Sequence, residues 1–209
     1  MKQDPRHLGA RCDVCPLGPR GCLRNDEPWV PTPPEEHGSA VVALLEAPAK
    51  EDFLKHRPLA GLDGGEWRRA LNASGLNRKQ IDLHFLVSCM PPDGWKRMEA
   101  SLKRKRKAAE TRLRKDGMSL AEAKHAAAQE LPHPVDCCAP MCHSRLNNYD
   151  YVLALGASPA QSLLDTKRSM SDLDGDMRSL PASRVFRHGA DWSFAEDRLI
   201  KIMPTFSPR

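Results

Sequence analysis

Large side chains are scarce in this chain. Aromatic residues make up 5% of its 209 positions against 28% charged residues, a balance that predicts a partly solvated molecule. No apolar run approaches the length of a membrane span, which excludes a transmembrane segment. Residues 1–7 contain no apolar core of a signal peptide, which excludes secretion by that route. These absences predict a cytoplasmic protein without a membrane partner.

Cysteine, by contrast, is plentiful. Structural disulfides are rare in a reducing compartment, so seven cysteines indicate a metal site, a cluster or buried thiols. The spacing Cys12-x-x-Cys15 brings two sulfurs to one side of a turn, which favours ligation. Thiolates alone do not distinguish zinc from iron–sulfur. Cys22 is interpreted as a bystander, and the remaining candidates are Cys89, Cys137, Cys138 and Cys142.

Apolar runs that alternate with helical patterns predict an α/β fold. Strands are expected at 39–46, 84–89, 151–156 and 198–203, and helices at 64–74 and 157–164. This order predicts a parallel sheet with helices on both faces, in a single domain spanning 1–209. Residues 1–38 are irregular and need a staple. The first strand ends at Glu46, at the sheet edge where ligands bind in such folds.

Residues 94–133 interrupt this alternation and predict an inserted helical hairpin. Ten Lys or Arg residues but only two acids lie between 96 and 115, and Ser119 to Glu122 forms a capping-box pattern after a break at Gly117. The ordinary interpretation is a solvated helix. The functional one is an arm that contacts phosphates, in keeping with the net charge of +5. Its proposed contacts are Lys103, Arg104, Lys105, Arg106 and Lys107. Trp95 is the segment's one aromatic residue, which disfavours a base-stacking platform.

Five motifs in order resemble the iron–sulfur (family 4-like) uracil-DNA glycosylases. They are Cys12-x-x-Cys15-Pro16-Leu17, then Glu46-Ala47-Pro48 followed by Arg57-Pro58-Leu59, then Cys89-Met90-Pro91-Pro92, then 151–156, and lastly Pro204-Thr205-Phe206-Ser207-Pro208. The resemblance covers nearly the whole chain except the 94–133 insertion. It implies a three-layer α/β/α sandwich with a central four-stranded parallel sheet. It also implies a [4Fe–4S] cluster held by Cys12, Cys15, Cys89 and Cys138, with Cys137 and Cys142 as alternatives for the fourth ligand.

The implied activity is hydrolysis of the N-glycosidic bond of a flipped-out uracil, or a related damaged base, in DNA. Glu46 is the predicted carboxylate that positions water and stabilises the positive sugar, with Glu51 second. The alternatives are a helix-capping role for Glu46 and an ordinary surface position for Glu51. Ser207 is the predicted donor to the departing base. The implied substrate-binding residues are Ala47, Pro48, Leu59, Phe85 and Phe206.

Several positions depart from the family pattern: Leu45 and Ala49 replace two glycines, and three further changes affect the base pocket. Leu59 replaces an aromatic residue that stacks on uracil, Phe85 (with His84 adjacent) replaces an asparagine that reads it, and Ser207 replaces a histidine. These changes support a second hypothesis, a non-catalytic DNA-binding member of the same fold. A third is a zinc-stapled nucleic-acid module. The chain ends at Arg209 within the final motif, which predicts a truncated C-terminus, a divergent end or a piece of a longer polypeptide; a monomer is expected.

Overall fold

The computed structural model describes residues 4–23, 29–181 and 199–205. Helices and strands alternate along most of this length, as the apolar runs predict. The strands are β1 (Val41–Leu45), β2 (Asp82–Phe85), β3 (Tyr151–Leu155), β4 (Arg178–Pro181) and β5 (Leu199–Thr205). The α-helices are α1 (Lys50–Lys55), α2 (Asp63–Ala73), α3 (Trp95–Lys115), α4 (Leu120–Glu130), α5 (Pro134–Leu146), α6 (Ala157–Leu164) and α7 (Met170–Leu173). Short 3₁₀ turns lie at Pro5–Leu8 and Arg78–Gln80.

The strands form one mostly parallel sheet in the order β2-β1-β3-β5-β4. All four predicted strands are present, and each pairs in parallel with its neighbours among them. The prediction of only four strands is wrong, because β4 adds to β5 in antiparallel orientation. Half of β4 is exposed and none of it is fully buried. An edge strand of this kind carries no apolar run from which it could be predicted.

Two strand boundaries differ from the prediction. β2 begins at Asp82 and ends at Phe85, yet its pairing continues, since the Leu86 and Val87 amides donate to the Leu45 and Glu46 carbonyls. β5 runs through Pro204 to Thr205 rather than ending at the proline. The Lys201 amide points toward β3, so by alternation the nitrogen of Pro204 faces β4. β4 pairs no further along than Ile202, so the missing N–H costs no ladder hydrogen bond.

Alternation along the strands divides the core between the two faces of the sheet. Val42, Val152 and Ile202 face one side, where Leu146 of α5 and Leu163 of α6 pack against them. The opposite face of the sheet carries a second buried cluster, which includes Ala43, Leu45, Leu83, Phe85 and Leu155 together with Trp67 and Leu71 of α2. The predicted helices at 64–74 and 157–164 therefore lie on opposite faces of the sheet.

The insertion forms the predicted helical hairpin. α3 and α4 pack against each other, and Ser119 caps α4 through the predicted exchange with Glu122. Met98 and Leu102 of α3 are buried in a third cluster, together with residues of the N-terminal segment. The hairpin is thus anchored to the body of the protein by an apolar stripe. In the parts of the chain that the structure describes, no helix combines the length and apolarity needed to cross a membrane.

Candidate functional site

The four cysteines predicted as ligands converge in one buried cluster. Cys12 and Cys15 come from the N-terminal segment, Cys89 follows β2, and Cys138 lies on α5. Each is at most 6% exposed. Gly18 is required for this arrangement, because a Cβ there would lie 1.8 Å from the Cys12 carbonyl oxygen. The glycine lets the chain turn back tightly over the Cys12–Cys15 pair.

The choice among the three cysteines of α5 narrows to two. Cys142 packs in the core cluster on the sheet face, apart from the others. Cys138 lies within electrostatic range of Cys89, Cys15 and Cys12, and it accepts a hydrogen bond from the Ser88 backbone. Cys137 hydrogen-bonds Cys15 and lies beside Cys138. Of the three α5 thiols, Cys137 and Cys138 therefore lie with Cys12, Cys15 and Cys89, and Cys142 does not.

Burial governs the protonation of these thiols. Desolvation, with a smaller effect of Cys15, raises the pKa of Cys12 to about 11, and burial also raises the pKa of Cys138. Without a bound cation these two thiols stay protonated at neutral pH. An all-thiol donor set from three separate elements fits an iron–sulfur cluster, which deprotonates its ligands on binding. Across the described ranges, no group of three or more His, Cys, Asp or Glu side chains has an arrangement that could hold a single metal ion.

Glu46 lies where the topology of the sheet predicts a ligand site. The chain passes from β1 to β2 on one side, and β3 then pairs on the other side of β1. The carboxyl ends of β1 and β3 thus flank a topological switch point, the usual position of ligands in open parallel sheets. Glu46 follows β1 directly, is half-buried, and accepts a hydrogen bond from the Ser158 hydroxyl in the first turn of α6. Sequence reasoning missed Ser158, although it follows β3 by only three residues.

A cleft of about 500 Å³ opens beside this edge. It lies between the loop that follows Glu46, the Cys89-Met90-Pro91-Pro92 turn and the start of α3. Its lining includes the predicted substrate-binding residues Ala47 and Pro48, together with Lys50 and Trp95. The Trp95 indole meets His133 edge to face, with ring centroids 5.8 Å apart. The sequence interpretation noted Trp95 only as an isolated aromatic residue, and the fold places it on a cleft wall.

The second predicted carboxylate, Glu51, is exposed on α1, where its side chain lies against Gly61. Its neighbour Asp52 is 2% exposed and accepts hydrogen bonds from the amides of Ala49 and Ala60. Asp52 therefore ties the loop after Glu46 to the Arg57–Gly61 turn. Sequence reasoning placed function on the glutamate, whereas the buried aspartate beside it organises the loop.

Leu59 and Phe85 do not line the cleft. Both are buried in the core cluster beneath α2, at 2% and 3% exposure. Leu59 has a φ of +50°, held in a loop that Asp52 fixes at Ala60. His84 points toward the other sheet face, where its ring contacts Tyr149. The predicted contacts Phe206 and Ser207 lie outside the described residues.

The basic residues of α3 divide into two groups. Lys105 donates to the Cys22 carbonyl, Arg106 donates to the Leu131 carbonyl, and Lys107 pairs with Glu110. These three side chains are therefore engaged, at least in part, in contacts within the protein. Arg104 is exposed and shares a helix face with Arg97, seven residues earlier, and both line a groove with Pro92 and Asp93. Lys103 is exposed on the side of α3 toward α4.

The groove along Arg97 and Arg104 adjoins the cleft beside Glu46, because Pro92 and Asp93 line both. The two arginines thus extend a positively charged track away from the sheet edge.

Neither a protein-family model nor a curated protein matches the chain.

Proposed function

We propose that this protein is a uracil-DNA glycosylase-like hydrolase, with the three-layer α/β/α architecture of that family, that removes a flipped-out uracil or related damaged base from DNA. The observation that carries the proposal is the position of Glu46. Its carboxylate stands at the switch point between β1 and β3, oriented by the Ser158 hydroxyl. A carboxylate at this edge is suited to position a water molecule and to stabilise positive charge on a sugar.

In the proposed reaction, water adds to C1′ of the deoxyribose while the C1′–N1 bond breaks. The electron pair of that bond leaves on the base, and the proton released by the water passes to the Glu46 carboxylate. Ala47, Pro48 and Trp95 line the cleft that would receive the base. When bound, a [4Fe–4S] cluster on Cys12, Cys15, Cys89 and Cys138 supplies a structural tie between the N-terminal segment, β2 and α5.

The test is excision from uracil-containing oligonucleotides, single-stranded and duplex, measured as abasic product. We expect cleavage of the N-glycosidic bond in at least one of the two substrates and none in a matched thymine oligonucleotide. Absence of product from both uracil substrates, with DNA binding intact, contradicts the enzymatic proposal.

A non-catalytic DNA-binding role is the second candidate, and a specific observation favours it. Leu59 and Phe85, the positions that would contact the base, are packed in the core instead of facing a cleft. In that case the cluster and the basic groove would be retained for DNA binding alone.

The basic groove gives a prediction that both candidates share. The double variant Arg97→Gln/Arg104→Gln should weaken DNA binding and flatten its salt dependence, because each lost phosphate contact removes roughly 0.9 from the slope of log K against log salt, about 1.8 in all. Fluorescence anisotropy across a salt series measures it.

The matched control is Arg114→Gln/Lys115→Gln, which removes the same charge from exposed positions at the far end of α3, roughly 28 Å along the helix from Trp95. If the slope of log K against log salt is the same for the two double variants, the groove makes no specific phosphate contacts and α3 is an ordinary solvated helix.

A further inference from the structure

A second cleft of about 500 Å³ lies along the outer edge of β2. Residues 29–36 run beside this edge, where the Thr32 backbone amide donates to the Ser88 carbonyl and Glu35 bridges Leu83 in antiparallel orientation. Arg145 of α5 closes the far side. The residues that line this cleft have no member in common with those of the cleft beside Glu46. The two clefts are therefore separate sites.

Two buried hydrogen-bond donors at this second cleft have no acceptor among the described residues. Thr32 is 1% exposed, and its hydroxyl has no hydrogen-bond partner among the described residues. The same holds, within that part of the chain, for the buried indole N–H of Trp29. A buried donor without a partner destabilises the fold, so its retention calls for an acceptor. Both residues line the cleft, so a ligand bound there is a source of such an acceptor.

Three charged residues line the cleft: Asp4, which pairs with Arg6, and the opposite charges Glu36 and Arg145. Arg145 is half-buried, and within the described ranges no carboxylate lies within ion-pairing distance of it. Glu36 is the acidic group that faces it electrostatically, and 54% of the Glu36 side chain is exposed. The cleft therefore offers one ligand both the donor fork of a guanidinium and the acceptor oxygens of a carboxylate. This combination disfavours a simple anion, and it favours a neutral ligand that carries both donors and acceptors.

Glu36 is held in place from beneath by a buried polar chain. Its Oε1 lies 3.2 Å from Nε2 of His84. The same nitrogen lies 3.0 Å from the Tyr149 hydroxyl, which donates to Asp82 at 2.8 Å. All three supporting side chains are at most 5% exposed. A carboxylate fixed in this way is preorganised for recognition, because little side-chain entropy is lost when a ligand binds.

We propose that this cleft binds a guanine base. The edge of guanine presents two adjacent N–H donors, which suit the Glu36 carboxylate, next to a carbonyl acceptor, which suits the Arg145 fork. Adenine would present a ring acceptor to the carboxylate and has no carbonyl for the arginine. Thymine has one N–H flanked by two carbonyls, so it fits the carboxylate poorly. Trp29 and the prolines at 31, 33 and 34 supply the apolar walls that a planar ring requires.

The test measures binding of guanosine, adenosine and thymidine to the full chain by isothermal titration calorimetry. We expect guanosine to bind at least about tenfold more tightly than either of the others, since one bidentate pair discriminates by that factor or more. Glu36→Gln and Arg145→Lys should each remove this preference, and Thr32→Val should weaken guanosine binding. The control Arg69→Gln alters an exposed arginine paired with Glu66 on α2 and should change nothing.

Equal affinity for the three nucleosides, or a guanosine preference that survives both Glu36→Gln and Arg145→Lys, overturns the proposal. The wild-type protein provides a test that does not depend on the folding of variants. Guanosine should shift the indole N–H resonance of Trp29, which is assigned by its loss in Trp29→Phe. Binding that leaves this resonance unmoved also overturns the site.

Two sources could supply the base, and short oligonucleotides distinguish them. If the trinucleotide TGT binds more tightly than guanosine, and the trinucleotide TAT binds more weakly than TGT, the ligand is an unpaired guanine in nucleic acid. If TGT binds no better than guanosine, the ligand is a free guanine nucleoside. Because none of these probes contains uracil, the outcome is independent of the excision assay.

Discussion

Replacing Cys138 by serine is expected to abolish bound iron and sulfide in anaerobically purified protein, from about four irons per chain in the wild type to near zero. Cys138 is the α5 thiol within electrostatic range of all three other proposed ligands. Loss of one ligand leaves three buried thiols and no cation to deprotonate them. The N-terminal segment should then detach, which limited proteolysis after Arg11 or Arg20 would report.

Three further cysteines serve as controls for this experiment. Cys142→Ser replaces an equally buried thiol in the other core cluster, and Cys22→Ser replaces an exposed one, so both should retain the full iron content. Cys137→Ser decides between the two adjacent thiols of α5. Retention of iron in Cys137→Ser and its loss in Cys138→Ser identify the ligand, and the reverse pattern transfers the assignment to Cys137. Stoichiometric zinc without sulfide in the wild type would contradict the cluster.

Glu46→Gln is expected to lower the single-turnover rate of uracil excision by roughly 10²–10³-fold, about 3–4 kcal/mol of transition-state stabilisation. Glutamine keeps the size of the side chain and still accepts the hydrogen bond from Ser158. The substitution therefore removes the negative charge that would face the cationic sugar, with little change in packing. Binding of the uracil oligonucleotide should be nearly unchanged, because the charge acts mainly in the transition state.

Glu51→Gln is the matched control, since it makes the same chemical change on the exposed face of α1. We expect its excision rate to stay within about twofold of the wild type. Ser158→Ala should lower the rate less than Glu46→Gln does, because it removes only the group that orients the carboxylate. If Glu46→Gln and Glu51→Gln have equal rates, Glu46 is a helix-terminus acid and not the catalytic carboxylate.

The parts of this fold that follow from apolar periodicity could be predicted from the sequence. β1, β3 and α6 lie within a residue or two of their predicted bounds, because each is a continuous or helically spaced apolar segment. β4 could not be found in this way, since pairing with β5 stabilises it and its own side chains remain largely exposed. β4 is therefore specified by its backbone pairing with β5 and not by a pattern in its own side chains.

The candidate site shows the same division. Convergence of the cysteines follows from motif order, and Glu46 follows from its place at a strand end. The interiors of loops do not follow from motifs, because the direction of a side chain there depends on tertiary contacts. Leu59 is an example: its residue type suits either a pocket or a core, and the hydrogen bond from Ala60 to Asp52 helps to fix the loop that buries it.

The wide separation of the cysteines along the chain has a consequence for the order of events during folding. Cys12 and Cys15 precede every strand, whereas Cys138 follows two strands and the hairpin. Contacts of such long sequence separation form late, since a long loop must close before they contribute. β1, β2 and α5 must therefore be in place before four sulfurs can meet. If the proposed cluster binds here, its insertion would act as a final checkpoint of assembly, open only to a chain whose sheet has been built correctly.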